Sequence, residues 1–188
     1  MDKLVIDIET KNMFADVGGE RNLPLLDMSV VGVYSYSKNE YLCFDEYQLD
    51  ALGVLLKRTG LLIGFSLNRF DVPVLAKYFS FNLKAIPTLD ILEEVELALG
   101  HRISLDALAK TNLHGDGKTG HGTDAAKLYR EGKIEELKKY CLNDVRLTKE
   151  LYDLAMKQKH LLVPNRYSTV CDKAEFDWAE QVLPATLF

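Results

Sequence analysis

Two acidic side chains, Asp7 and Glu9, stand at the end of the apolar run that opens the chain, within LVIDIET. Residues two apart in a strand point to the same side, so a strand here would place both carboxylates on one face. Burying unpaired charge beside an apolar strand is strongly unfavourable. The pair therefore indicates either a site that binds cations or an ordinary solvated strand end, and the spacing alone leaves both interpretations open.

A third acid, Asp71, follows another apolar run at residues 61–65 and precedes Pro73. Aspartate is a favoured helix N-cap and proline fits the first helical turn, so this position predicts the start of a helix. Junctions at the carboxyl ends of central strands also face the crevice in which α/β proteins bind ligands. A capping role and a ligand role for Asp71 are both open.

Tyr140 and Asp144 are four residues apart in a long stretch of helical periodicity, so the phenol and the carboxylate lie on one stripe of a helix. That stripe runs beside Leu137, Cys141 and Val145, which predict the buried side of the helix. A charged aspartate next to a buried stripe needs a partner, and a metal ion is one such partner.

The elements expected to position these side chains alternate between strands and helices, which favours one mixed α/β domain. The first three strands read as a meander, and the weakest strand is the last. The predicted strands are residues 3–8, 29–37, 41–44, 61–65 and 86–89. The predicted helices begin at residue 49, at Asp71, after the cap Asp90, at Ser104 and at residue 133, and the last is the longest. Glycine-rich residues 112–122 predict a loop.

Composition limits the possible functions. The chain has 188 residues, 47% apolar and 27% charged, which is typical of a globular domain. Its net charge of 23 − 28 = −5 excludes a generally basic coat, so nucleic acid could bind only through a local cationic surface or through metal ions. The three cysteines lack metal or disulfide spacing, and no apolar run is long enough to span a membrane. We therefore expect a cytoplasmic protein.

The three acidic motifs occur in a recognisable order: LVIDIET, IGFSLNRFDVPVL and YCLNDVRLTKELY. Together they resemble the DEDD superfamily of 3′-5′ exonucleases, and above all the exonuclease domain of family B DNA polymerases. Tyr140 is typical of the DEDDy branch, because the other branch has a histidine where this chain has Lys139. The resemblance covers residues 3–152 and implies a ribonuclease H-like fold with a central mixed sheet of five to six strands flanked by helices. We expect an exonuclease domain at residues 1–159 and a C-terminal extension, residues 160–188, packed on the same domain.

The resemblance also implies a catalytic site that holds two divalent cations, Mg²⁺ or Mn²⁺. Asp7 would bridge both ions, and Glu9, Asp71 and Asp144 would complete their shells. Such hard cations prefer oxygen ligands, and two of them can clamp the attacking and leaving oxygens of a displacement at phosphorus. Tyr140 would orient the attacking water, because a phenol with an ordinary pKa of about 10 is a poor base at neutral pH.

Four further residues are candidates for substrate binding. Thr10 and Phe14 follow the first motif, and Phe14 is either a packed aromatic or one that stacks on the terminal base. Asn68 either contacts the substrate terminus or holds Asp71. Lys118 lies in the glycine-rich loop, which is either an ordinary surface loop or a contact to phosphate.

The favoured function is a metal-dependent 3′-5′ exonuclease that acts on single-stranded DNA and releases nucleoside 5′-monophosphates. Such a nuclease could serve proofreading or DNA repair, with a polymerase or helicase as a partner in trans and no membrane partner. The alternatives are a nucleic-acid-binding module without activity and a 3′-5′ exoribonuclease, because these motifs do not show which sugar is recognised.

Overall fold

The computed structural model describes residues 1–114, 122–165 and 168–179. A five-stranded mixed sheet lies at its centre in the order β3-β2-β1-β4-β5. The strands β6 and β7 form a second, two-stranded antiparallel sheet. The strands are β1 (Asp2–Thr10), β2 (Met28–Ser35), β3 (Glu40–Asp45), β4 (Thr59–Gly64), β5 (Thr88–Asp90), β6 (His160–Val163) and β7 (Asp172–Glu175). The predicted α/β class and mixed central sheet are confirmed, and the sheet has five strands.

Six α-helices are present in the described part of the chain, and short 3-10 turns join several of the elements. The α-helices are α1 (Leu49–Leu56), α2 (Val72–Leu75), α3 (Ile91–Leu99), α4 (Leu105–Asn112), α5 (Gly122–Arg130) and α6 (Ile134–Gln158). The side chain of Asp90 caps α3 and that of Ser104 caps α4, as the sequence predicts. Of the predicted loop at 112–122, residues 115–121 lie outside the described residues.

The central sheet places its strand ends so that acidic residues can meet. β1 is antiparallel to β2 but parallel to β4, and β4 is parallel to β5. The carboxyl ends of β1, β4 and β5 therefore lie at one edge of the sheet. Asp7 and Glu9 lie toward that end of β1, and Asp71 follows β4 by way of a short turn.

The two faces of β1 have different neighbours. Leu4, Ile6 and Ile8 belong to a buried cluster that includes residues of α1 and α2. Val5 belongs to a second cluster that includes residues of α3, α4 and α6. Because strand side chains alternate, Asp7 and Glu9 continue the face of Val5 and point toward α6.

Helix α6 packs closely against β2 at Gly32. The Gly32 N–H donates to Cys141 Sγ at 3.1 Å, and Gly32 pairs with Asp7 across the β1–β2 ladder. A Cβ atom at position 32 would lie 2.9 Å from both Cys141 Sγ and Val145 Cγ2. The missing side chain therefore sets how near α6, with Tyr140 and Asp144, comes to β1.

Replacing Gly32 with alanine is expected to destabilise the protein by about 1–3 kcal/mol, the usual effect of overpacking a dense core. The added methyl group must displace α6 or β2, because it would lie closer to Cys141 and Val145 than a Cβ atom normally lies to any neighbouring atom. Urea unfolding measures the change. The Gly32→Ala/Cys141→Ala double variant provides the control, since it removes one of the two clashing atoms and should recover part of the lost stability.

Residues that follow α6 contribute to the main core, although the sequence pattern placed no strand there. Ala174, Phe176 and Trp178 are buried in the same cluster as α6. The Trp178 ring stacks on Phe176 at 4.3 Å between centroids, and its Nε1–H donates to Glu94 Oε2 at 2.9 Å. These contacts support the proposal that the C-terminal extension packs on the domain formed by the preceding residues.

Within residues 1–114, 122–165 and 168–179, no helix combines the length and the apolar character needed to cross a bilayer.

Candidate metal centre

Two carboxylates of β1 meet a third that comes from α6. Asp7, Glu9 and Asp144 each offer one oxygen such that these oxygens lie within 4.8 Å of one another. Asp144 is 1% exposed and Glu9 is 9% exposed. The period of two in β1 brings the first two acids together, and the approach of α6 at Gly32 brings the third.

Asp71 approaches β1 next to these three carboxylates. Its Oδ1 accepts a hydrogen bond from the Ile8 N–H at 3.0 Å, between Asp7 and Glu9 in the chain. The predicted N-cap role is wrong: Asp71 has helical φ and ψ angles, and its side chain caps no helix. It ends a π-helical turn, Leu67–Asp71, and its carboxylate serves a tertiary contact instead.

Burial and like charge act together on this cluster. Burial, followed by the nearby charge of Asp7, raises the pKa of Asp71 well above its ordinary value, although the Ile8 N–H opposes this. Burial also raises the pKa of the Cys141 thiol, and the charges of Asp7 and Glu9 add to the effect. The Cys141 thiol therefore stays protonated and donates to the main-chain oxygen of Asp7 at 3.4 Å.

A cleft of about 1390 Å³ opens over the acids. Asp7, Glu9, Asp71, Tyr140 and Asp144 all contribute to its lining. Tyr140 and Asp144 come from adjacent turns of α6, as their spacing predicts, and Tyr140 is 6% exposed. The five side chains identified from the three motifs are therefore open to one shared space.

The donor set fits a hard divalent cation. Asp7, Glu9 and Asp144 present carboxylate oxygens, which are the ligands that Mg²⁺ and Mn²⁺ prefer. Two of these acids, Glu9 and Asp144, are largely shielded from water. Carboxylates about 4 Å apart repel by roughly 4 kcal/mol at an effective dielectric constant near 20. A cation bound between them would remove that repulsion, so Asp7, Glu9, Asp71 and Asp144 are the residues that would hold it.

Comparison with known families bears on how this cluster should be interpreted. A family model described as RNase_H superfamily (RNase_H_2) matches residues 4–156, which include all three motifs. The chain belongs to the RNase H superfamily. This membership confirms the predicted ribonuclease H-like fold.

A solved member of this fold gives a second comparison. The family B DNA polymerase from the hyperthermophilic archaeon Pyrobaculum calidifontis superposes with a TM-score of 0.62 at 18% identity. The match covers 82% of the chain described here but only 24% of the polymerase chain. At that identity the likeness shows the fold alone. No curated protein matches the sequence.

Two of the four candidate substrate-binding residues line the cleft. Thr10 and Phe14 line the cleft, and the Phe14 ring packs edge-on against Phe70 at 5.9 Å between centroids. The Asn68 Nδ2 donates to Glu93 Oε2 at 2.7 Å, so this side chain does not hold the Asp71 carboxylate. Lys118 lies outside the described residues. Substrate contacts by these residues stay predictions.

Sequence reasoning did not single out the cationic side chains of the cleft. Among the described residues, Arg69, Arg102 and Lys110 line it. Arg69 Nη1 pairs with Glu96 Oε2 and Lys110 Nζ with Asp106 Oδ2, each at 2.8 Å. Isolated basic residues of this kind give no sequence signal, since only the fold gathers them beside the acids. Because Arg69 and Lys110 are paired with acids, much of their positive charge is balanced within the protein.

Proposed function

We propose that the protein is a metal-dependent 3′-5′ exonuclease that acts on single-stranded DNA and releases nucleoside 5′-monophosphates. The observation that carries this proposal is the meeting of Asp7, Glu9 and Asp144 within 4.8 Å, with Asp71 bonded to the backbone between the first two. Membership of the RNase H superfamily supports nuclease chemistry. The order of the motifs and the presence of Tyr140 support the 3′-5′ direction.

Asp7, Glu9, Asp71 and Asp144 would together hold two divalent cations, Mg²⁺ or Mn²⁺. When bound, such ions stabilise the negative charge that develops on phosphate oxygens and activate water for attack. Four carboxylate charges balance two dications. The net charge of −5 for the whole chain is therefore no barrier to nucleic acid at this cleft.

The reaction would be hydrolysis of the last phosphodiester bond. A water oxygen would add to phosphorus and lose a proton, and the bond to the 3′ oxygen of the preceding nucleotide would break. That 3′ oxygen would take up a proton, and the terminal nucleotide would leave as a 5′-monophosphate. Tyr140 lines the cleft one helical turn before Asp144. Its hydroxyl would hydrogen-bond the attacking water and orient it. Phe14 lies on the same cleft and offers an aromatic edge near which a terminal base could be held.

Oligonucleotides with a 5′ label test the proposal directly. With Mn²⁺ present, we expect a ladder that shortens by single nucleotides from the 3′ end, and we expect chelator to stop it. Repeating the assay with a 3′ phosphorothioate end and with RNA of the same sequence identifies the polarity and the sugar. A faster loss of RNA would favour an exoribonuclease. Binding without any shortening would favour a nucleic-acid-binding module and contradict the proposed activity.

Replacing Tyr140 with phenylalanine is expected to lower kcat by about 10- to 100-fold. This is at or below the low end of the effect of a side chain that transfers a proton, because the hydroxyl would only orient the water. Phenylalanine keeps the aromatic ring and removes only the hydroxyl. The four carboxylates remain, so Mn²⁺ should raise the melting temperature as much as it does in the wild type. Single-turnover cleavage and thermal shift measure the two effects. An unchanged kcat would remove Tyr140 from the reaction.

A further inference from the structure

Asp90 joins two separate segments of backbone through one buried carboxylate. It is 2% exposed and is the last residue of β5, directly before α3. Its Oδ1 accepts from the N–H groups of Leu92 and Glu93, at 3.1 and 3.4 Å, which is the expected helix cap. The same Oδ1 accepts from the Ser66 N–H at 2.9 Å, and Oδ2 accepts from the Asn68 N–H at 3.0 Å. Capping therefore accounts for only half of these contacts.

The segment bound by Asp90 has an unusual backbone. Ser66 adopts a left-handed conformation with φ 67° and ψ 22°, which residues other than glycine adopt infrequently. The π-helical turn Leu67–Asp71 follows at once, and such turns are rare and concentrated at functional sites. Strained backbone persists where the surroundings hold it in place. Asp90 holds the residues on both sides of Leu67.

Helix α3 also holds this turn through side chains. Asn68 Nδ2 donates to Glu93 Oε2 at 2.7 Å, and Arg69 forms an ion pair with Glu96 at 2.8 Å. The turn ends at Asp71, whose carboxylate accepts from the Ile8 N–H. A continuous set of contacts thus runs from α3 through the turn to the acid cluster.

We propose that Asp90 is a positioning residue that fixes the Leu67–Asp71 turn and thereby holds Asp71 in place for cation binding. This inference rests on the proposed function, because Asp71 is taken as a cation ligand. Asp90 itself does not line the cleft described above, and its carboxylate holds the backbone of Ser66 and Asn68. Its negative charge also helps to raise the pKa of the Asp71 carboxyl, after the larger effects of burial and of Asp7. Supporting residues of this kind affect metal affinity by about 10- to 100-fold.

The Asp90→Asn variant separates the two roles of the side chain. Its remaining oxygen can keep the contacts to Ser66 and to the first turn of α3, and asparagine is as good an N-cap as aspartate. The amide nitrogen that replaces Oδ2 would face the Asn68 N–H, so two donors would meet. We expect the Mn²⁺ concentration that gives half of the maximal thermal shift to rise by about 10- to 100-fold. This measurement needs neither substrate nor turnover.

Two companion variants make the test specific. Asp90→Ser keeps a side chain that caps helices but is too short for both contacts, so it should weaken Mn²⁺ binding as well. Glu94→Gln removes a negative charge from the same first turn of α3 without touching Ser66 or Asn68, so it should bind Mn²⁺ like the wild type. In chelator, hydrogen exchange at the Asn68 amide should accelerate in both Asp90 variants and stay slow in Glu94→Gln.

The outcomes distinguish this inference from the proposed function. If wild type binds Mn²⁺ and both folded Asp90 variants bind it equally well, Asp90 is a helix cap alone and the inference is overturned. If wild type binds no Mn²⁺ and degrades no oligonucleotide, the proposed function fails, and the cation-binding role of Asp90 fails with it. Circular dichroism at the assay temperature establishes that each variant is folded.

Discussion

Replacing Asp144 with asparagine is expected to slow nuclease turnover by about 1000-fold, because losing a cation ligand removes several kcal/mol of charge stabilisation and about 4 kcal/mol corresponds to that factor. Asp144 is the acid that α6 contributes to the cluster, and it is almost fully buried there. Asparagine preserves the shape of the side chain and one acceptor oxygen. The change in turnover therefore reports the loss of the negative charge rather than a change in side-chain shape.

The same variant should be more stable than the wild type in chelator. Without cations, the carboxylates within 4.8 Å repel one another, and removing one charge relieves part of that repulsion. Each kcal/mol relieved raises the melting temperature of a chain of this size by about 2–4 °C. Thermal unfolding in chelator measures the gain in stability, and thermal unfolding in Mn²⁺ measures how much the bound cation stabilises each protein. Full turnover in the variant, or equal Mn²⁺ stabilisation of variant and wild type, would contradict the ligand assignment.

Replacing Trp178 with alanine is expected to destabilise the protein by about 3–5 kcal/mol, as large-to-small changes of buried aromatics do. The indole stacks on Phe176 and lies 5.9 Å from the Tyr152 ring of α6 between centroids. It also fills part of the cluster that includes β1, α3 and α6. Its removal would thus open a cavity between the C-terminal extension and the body of the domain.

Urea unfolding measures this loss, and Trp178→Phe provides the matched control. Phenylalanine keeps an aromatic ring for stacking but removes the donor to Glu94 Oε2, so a smaller effect is expected. A single unfolding transition in all three proteins would support one cooperative domain that includes the extension. A loss below about 1 kcal/mol for Trp178→Ala would show that the extension contributes little to the core.

Much of the fold follows from the sequence because its patterns are local. Alternation and apolar runs locate β1 to β4, and helical periodicity locates α6 to within a residue or two at each end. The spacing of Asp7 and Glu9 and that of Tyr140 and Asp144 each place two side chains on one face. These features need only the geometry of a single strand or helix.

The remaining features depend on contacts between distant segments. The role of Asp71 could not be read locally, because its partner is the Ile8 N–H on another strand. The strands β6 and β7 show no alternation of apolar and polar residues, and they form by pairing with each other. Gly32 did carry a usable signal, since a glycine inside a strand often marks a close backbone approach. Recognising it would have predicted a close contact at β2, although not that α6 makes it.

Asp90 shows a different limit of sequence reasoning. Its position before a helix predicts a cap, and that prediction is confirmed. The pattern cannot reveal that the same carboxylate also binds Ser66 and Asn68, since these residues lie more than twenty positions earlier in the chain. A side chain with one obvious local role can thus have a second role that only the fold creates.

The central claim is that Asp7, Glu9, Asp71 and Asp144 form one site for divalent cations. Titrating the protein with Mn²⁺ and following the loss of the free-ion signal by electron paramagnetic resonance tests it most directly. We predict two bound ions for each wild-type chain, with weaker or fewer ions in Asp144→Asn and Asp71→Asn. The absence of bound Mn²⁺ in the wild type, or identical binding by all three proteins, would contradict the account.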